Sequence, residues 1–228
     1  MRLNERTARF LLIGLIIVGL LGWGYTRWQR WQASKAGLTI GLLSGEPCAP
    51  PCWQGFTPGT VVDKATVLRR LRRMPGIDTV WERELPISVG GVEINWKWER
   101  KPPREPDASS WQGYNYNNIL LSDGDVLKVI TLSLDFRLTV AELIDQYGIP
   151  PATGPVVPGT PTPGSASMLL FYPQEGMMCR VEVLPDFRPV LKPDSIVYEV
   201  IYYPRDSDLD LAHTLPWPGY GELDLAEP

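Results

Sequence analysis

Hydrophobic and polar positions follow three rhythms along this chain, and the first is a solid block. Residues 10–25, FLLIGLIIVGLLGWGY, carry no charge and stand between Arg2, Arg6 and Arg9 on one side and Arg27 and Arg30 on the other. At about 1.5 Å per helical residue the block covers about 24 Å, short of the roughly 30 Å hydrocarbon core. Trp23, Tyr25, Trp28 and Trp31 supply the remainder, because amphipathic rings settle at the headgroup level and arginines snorkel. No small-x-small cleavage site follows closely, and the first tolerable one, Ser34-Lys35-Ala36, comes only after further Arg and Trp. An uncleaved signal anchor over 10–28 is therefore expected, in preference to a cleaved signal or a buried helix.

Helical and strand rhythms share the rest of the chain. Val61, Val62, Ala65, Leu68 and Leu71 fall at helical spacing within 60–74, and Pro75-Gly76 stops the run. Strand-like pieces follow at 78–81 and 91–98, where Val92, Ile94, Trp96 and Trp98 alternate with Glu93, Asn95 and Lys97, marking the first set as a core face. Residues 118–121 turn through Ser122-Asp123-Gly124-Asp125 into 126–134, a hairpin signature. A second helix opens at Leu138-Thr139-Val140-Ala141-Glu142-Leu143, where Thr139 and Glu142 form a capping box and Leu138 staples against Leu143, and it ends at Gly148 and Pro150. Strands at 167–172, 177–184 and 195–203 complete the pattern. Helix followed by meander occurs twice. The predicted fold is α+β: an N-terminal transmembrane helix followed by two tandem helix-plus-antiparallel-sheet modules. Its divisions are a cytoplasmic N-terminus 1–9, the anchor 10–28, a juxtamembrane linker 29–47, a first module 48–135, a second 136–205, and an acidic, proline-containing tail 206–228.

Cysteine usage bears on the compartment. Cys48 and Cys52 bracket Ala49-Pro50-Pro51, a turn-prone loop that can bring two Cα atoms inside the disulfide window. Zinc would need four N/S ligands, and the chain holds only Cys48, Cys52, Cys179 and His213, without finger spacing. A structural disulfide is expected, with Cys179 a buried free thiol beside Met177, Val181 and Val183. An oxidising compartment follows, with residue 1 cytoplasmic and the body extracytoplasmic. The 228 residues, 44% hydrophobic, suffice for a real core. The net charge of -4 hides an asymmetry, because the first 35 positions hold six Lys/Arg against Glu5 alone and leave an acidic body that argues against nucleic acid as a partner.

The runs PCWQGFTPGTVVDKATVLRRL, LTVAELIDQYGIPPA and FYPQEGMMCRVEV resemble a group of uncharacterised bacterial membrane-anchored extracytoplasmic proteins. In these, a Cys-Trp-x-Gly-x-x-Pro-Gly segment precedes a short helix and a Tyr-Gly-x-Pro helix end precedes a Tyr-Pro-x-x-Gly hairpin. More distantly the pattern is similar to the β-lactamase-inhibitor-like and outer-membrane-assembly lipoprotein E folds, although no lipobox cysteine follows the apolar block. The resemblance covers roughly 48–204 and rests on turn and cap residues. It implies a binding or assembly module with a protein partner in the envelope or in a membrane complex.

Catalytic motifs are few. The sequence has no Gly-x-Ser-x-Gly elbow, Walker loop, His-Glu-x-x-His or dinucleotide glycine pattern. His213 sits in the acidic tail, where it reads as solvated, and Glu93 is the single candidate for a glycan-hydrolysing acid. The expectation is a non-catalytic, single-pass, membrane-anchored binding or accessory module without cofactor or metal. The alternatives are an envelope hydrolase acting on glycans or peptides and a thiol redox protein using Cys48 and Cys52. Candidate binding residues are the aromatics Trp111, Tyr114, Tyr116 and Trp217, and the arginines Arg69, Arg70, Arg72 and Arg73 on the first helix. The tail either folds back through Trp217, with its acids near those arginines, or hangs free as a partner-binding segment.

Overall fold

The computed structural model describes residues 48–74, 76–86, 90–98, 117–158, 166–183, 189–207 and 214–223, all within the unit Thr39–Pro228. The segment 53–56 closes a tight turn in which the Trp53 and Phe56 backbones exchange two hydrogen bonds of 2.8 Å. Thr60 and Val62 then bond to Leu127 and Asp125, so the first two valines of the expected helical stripe run extended. Helix α1, Lys64–Leu71, starts later than its spacing predicts because Asp63 caps it, accepting from the Thr66 N–H at 2.9 Å. Its buried side chains are Val67 and Leu71.

Strands β1 (Ile77–Glu84), β2 (Val92–Trp98), β3 (Asn117–Leu121) and β4 (Leu127–Thr139) form a meander. Helix α2, Val140–Tyr147, follows β4 directly. Its capping box is formed, with Glu142 accepting from the Thr139 N–H at 2.8 Å, and Leu138 and Leu143 are fully buried. Then come β5 (Ala152–Thr153), β6 (Val157–Pro158), β7 (Ala166–Tyr172), a 3-10 turn at Pro173–Glu175, β8 (Met177–Val183), β9 (Val190–Leu191), β10 (Ile196–Tyr202) and β11 (Gly221–Glu222). One antiparallel sheet runs in the order β1-β2-β3-β4-β10-β8-β7-β5, with β6 also on β7, and β11 pairs with β9 in a separate ribbon.

One face of this sheet is the core. Ile94, Trp96, Ile119, Ile130, Val200, Val181, Cys179 and Leu170 are fully buried on it. Trp53 stacks on Trp96 at 5.1 Å, and Trp98 stands edge-on to both. The expected core face of β2 holds for Ile94, Trp96 and Trp98, whereas Val92 is half-buried and Asn95, from the opposite set, is buried as well.

Two expectations are corrected. Among the described residues there is neither a transmembrane helix nor a pair of helix-plus-sheet modules. They form mostly one antiparallel sheet with two short α-helices. The boundary expected at 135/136 falls inside β4, which pairs with β3 on one side and β10 on the other. A strand whose two edges serve both halves leaves no linker between modules.

The single-pass membrane topology finds no support either. Among the described residues no helix is long and apolar enough to cross a membrane. The α-helices have eight residues each and cover about 12 Å against the roughly 30 Å required. The run 10–28, with Trp23, Tyr25, Trp28 and Trp31, lies outside the described residues. The signal anchor, the membrane as partner and the cytoplasmic placement of the N-terminus are accordingly set aside.

Candidate functional site: the open face of the sheet

Antiparallel register fixes what the second face of the sheet carries. Residues directly opposite one another share a face, so the pairings trace an unbroken row: Trp81, Asn95, Asn118, Thr131, Ile201, Met178, Phe171 and Ala152. A second row on the same face runs through Ser133, Glu199, Arg180 and Leu169. Burial alternates in step in β8 and β3, although Asn95, Ser133 and Phe171 on this face are buried. In β8 the residues Met177, Cys179, Val181 and Val183 are buried while Met178, Arg180 and Glu182 between them are half-buried, and β3 shows the same alternation.

Polar side chains on this face are held in place. Glu93 accepts a hydrogen bond from Asn118 Nδ2 at 3.2 Å and pairs with Arg83. Arg180 Nε lies 2.9 Å from Glu199 Oε2, and Lys97 Nζ stands 5.6 Å from the centre of the Trp81 ring. Burial pushes the Glu182 carboxyl above its ordinary 4.5. It raises Glu199 as well, against the opposing pull of the Arg180 guanidinium. Aromatic, Met and Arg side chains are enriched in protein interfaces, where Lys and Glu are depleted.

Glu93 and Glu199 do not face one another as a catalytic pair. Glu93 on β2 and Glu199 on β10 are three strand spacings apart, about 14 Å at 4.7–4.9 Å each. Glycoside hydrolysis needs its two carboxyl groups within about 5–9.5 Å. Glu93 is moreover engaged by Arg83 and Asn118. Among the described residues no three His, Cys, Asp or Glu side chains converge as a metal site.

The remaining candidates scatter. Cys48 and Cys52 are disulfide-bonded with Cα atoms 5.6 Å apart, and Cys179 is a free, buried thiol whose ionisation burial pushes up. The disulfide loop is pinned to the far side of the chain, since Arg205 Nη2 donates to Pro50 O at 2.6 Å. Arg69, Arg70, Arg72 and Arg73 are all exposed, and Arg70 lies over the Phe56 ring at 5.3 Å and reaches Gly55 O at 3.5 Å.

Trp217 stands edge-on to Tyr220 at 5.7 Å. The described part of the tail docks, but not on the arginines. Thr153 and Leu215 exchange two backbone bonds of 2.7 Å, and Leu223 N donates to Pro189 O. Thr153 belongs to β5, at the opposite end of the sheet from β1, which an ion pair between Lys64 and Glu82 ties to α1. Trp111, Tyr114, Tyr116 and His213 lie outside the described residues.

Sequence reasoning missed Ile201, Met178, Arg180 and Glu199. Their alternation in MMCRVEV and IVYEVIY is legible, but which face goes uncovered is decided only by the placement of the helices. No protein family, curated protein or solved structure matches this chain.

Proposed function

We propose that this protein is a non-catalytic binding module, an accessory subunit that receives a protein partner on the open face of its sheet. The observation that carries this reading is the continuous row from Trp81 to Ala152 across eight strands. β3 has five residues and β5 only two, so the face at full depth runs from β1 to β7, six strand spacings or about 29 Å, and is about 23 Å deep where the strands have seven residues. The resulting area, about 660 Å², lies at the lower end of what one partner contributes to an interface of standard size. The side chains are also pre-arranged by the Arg83–Glu93–Asn118 and Arg180–Glu199 contacts, which lowers the ordering cost of association.

Photo-crosslinking amino acids placed at Ile201, at Met178 and, as a control, at Asp123 in the β3–β4 turn test the reading. Positions 201 and 178 should capture one common protein in the native cell, and Ile201→Glu should reduce its recovery at least about tenfold. Equal capture at Asp123, or full recovery with Ile201→Glu, overturns the proposal.

A further inference from the structure

The two ends of the sheet are finished differently. At one end stand β5 and β6, two residues each, with Pro158 in β6 and Leu215 of the tail bridged to Thr153 of β5. Short strands, prolines and covering segments are the usual guards of a sheet edge. At the other end β1 runs for eight residues, IDTVWERE, without Pro or Lys. Among the described residues it pairs with β2 alone, so its outer row of N–H and C=O groups is a template for one more strand.

Helix α1 decides what such a strand would carry. Lys64, Leu68 and Arg72 succeed one another at intervals of four along one flank, and Arg72 N donates to Leu68 O at 3.0 Å, so the helical path reaches Arg72. The other flank looks inward, since Arg70 lies over Phe56, and Phe56 and Trp53 sit with Trp96 of β2. The Lys64 flank faces β1, where Lys64 Nζ meets Glu82 Oε2 at 3.1 Å. Ile77 N donates to Met74 O, so the chain turns directly from Arg72 into β1. Helix and strand therefore run in opposite directions, with Arg72 beside the beginning of β1. Members of the flank follow one another at about 6 Å along the helix axis, and alternate residues of a strand at about 6.6 Å. A strand added to β1 sets one residue against Leu68, which is half-buried, and its next residue on the same face against Arg72.

The charge at that position is open. Lys64 is taken by Glu82 and Arg83 by Glu93. Arg72 is exposed and, among the described residues, joins no ion pair or side-chain hydrogen bond. Arg69 and Arg73 stand exposed beside it, and within 72–79 the one acid, Asp78, already accepts from Thr79 Oγ1 at 3.0 Å. A guanidinium without a partner next to a strand edge without a partner fits a carboxylate on an extended chain. We propose that the free edge of β1 accepts an extended segment of a partner protein as an added strand, antiparallel like every pairing in this sheet. Its signature is an apolar residue against Leu68 and, two residues later, a carboxylate against Arg72. The site uses backbone groups and α1 rather than the open sheet face, and either can fail without the other.

The probe is the peptide Ser-Thr-Leu-Thr-Glu-Thr-Ser, blocked at both ends and titrated into the ¹⁵N-labelled full chain while the backbone amides of 78–84 are followed. Three matched peptides form the other arms: one with Lys for Glu, one with the Glu and the Thr before it exchanged, and one methylated on the backbone nitrogens of its central three residues. Saturable shifts in 78–84 are expected with the first peptide. The Lys peptide, and the exchanged peptide whose carboxylate falls on the opposite face, should bind at least about threefold more weakly. The methylated peptide, which cannot donate to the edge, should not bind. Arg72→Glu should reverse the order of the Glu and Lys peptides, and unchanged amide positions in β8 and β10 establish that this variant folds. Equal binding of the Lys or exchanged peptide, binding of the methylated one, shifts confined to 69–73, or no shift with any peptide overturns the proposal. Shifts in β1 on concentrating the protein alone would assign the edge to a second copy and overturn it as well.

Discussion

Leu223→Ala tests whether the tail is a docked but separable unit. Leu223 is 7% exposed and is the one buried side chain within 214–223. Its N–H donates to Pro189 O at 2.7 Å, just beyond the short β11–β9 pairing. Truncating a buried leucine costs about 2–5 kcal/mol when the whole fold must bear the loss. Here the fold need not bear it. Once the loss approaches the free energy that holds the segment, the segment opens and the sheet behind it stays closed. A loss of about 2 kcal/mol raises the open population about 30-fold. Amide exchange at Leu215 and Leu223 should therefore quicken at least about 30-fold, while exchange at Val181 and Val200, in the centre of the sheet, is unchanged. Global Tm should fall by less than the roughly 4–8 °C that about 2 kcal/mol would remove from a domain of this size. Equal acceleration at Val181 and Val200 would show that the tail belongs to the cooperative core and would refute the reasoning.

Three further outcomes follow from local geometry. Burial raises the Glu182 carboxyl, so protonation favours the folded state. That contribution is fully present below the ordinary value of 4.5 and is lost as pH rises through the folded value, so Glu182→Gln should raise Tm near about pH 7 and leave it unchanged near about pH 4. The Cys48–Cys52 bond closes a loop with sequence separation of only 4, worth about 2 kcal/mol by loop-closure entropy; replacing both cysteines by Ser should lower Tm by about 4–8 °C, and a fall beyond about 15 °C would mean that the loop is essential to folding. A Cβ at Gly91 (φ +100°) would stand 2.0 Å from Leu121 O, whereas one at Gly124 (φ +85°) meets nothing within 4 Å. Urea unfolding should accordingly show Gly91→Ala losing at least about 3 kcal/mol and Gly124→Ala only about 1–2 kcal/mol.

What could be read from the sequence is what local chemistry decides. The capping box at Thr139 and Glu142 needs only residues three apart and is formed. The turn at Asp123-Gly124 needs only a positive φ, and Gly124 and Asp125 both adopt one. The disulfide needs only a short, turning loop. The merger of two expected modules was not legible, because it rests on β4 pairing with β10, about sixty residues away, and neither segment carries a mark of its partner. Strands β5, β6, β9 and β11 have two residues each, too few to show any period. Val61 and Val62 mimicked a helical stripe because a capping Asp63 can follow either a strand or a turn. The exposed sheet face was half legible: alternation divides each strand into two faces, but burial of one and not the other depends on where α1, α2 and the turn at Trp53 come to rest.

The junction between the halves also explains how a single sheet can be so wide. Between Val197 and Glu199 strand β10 shifts register against both neighbours, gaining one residue on β8 and setting its one intervening residue against the four of β4 between Ser133 and Leu138. Bulges concentrate bending and twist, and a wide sheet without them flattens poorly against a core. Both shifts fall on one strand and concentrate the bend at the seam, beside the shifts of β1 on β2 at Ile77/Thr79 and of β3 on β4 at Leu120/Leu121. Glu199 and Ser133, the first paired residues past the seam, are also the start of the row that leads through Arg180 to Leu169. The apolar residues Ile201, Met178 and Phe171 run beside that row on the same strands. A partner seated on this face lies next to the register shift, and deleting Tyr198, which restores the register against β8 but widens the mismatch against β4, should impair binding to the face even where the sheet still forms.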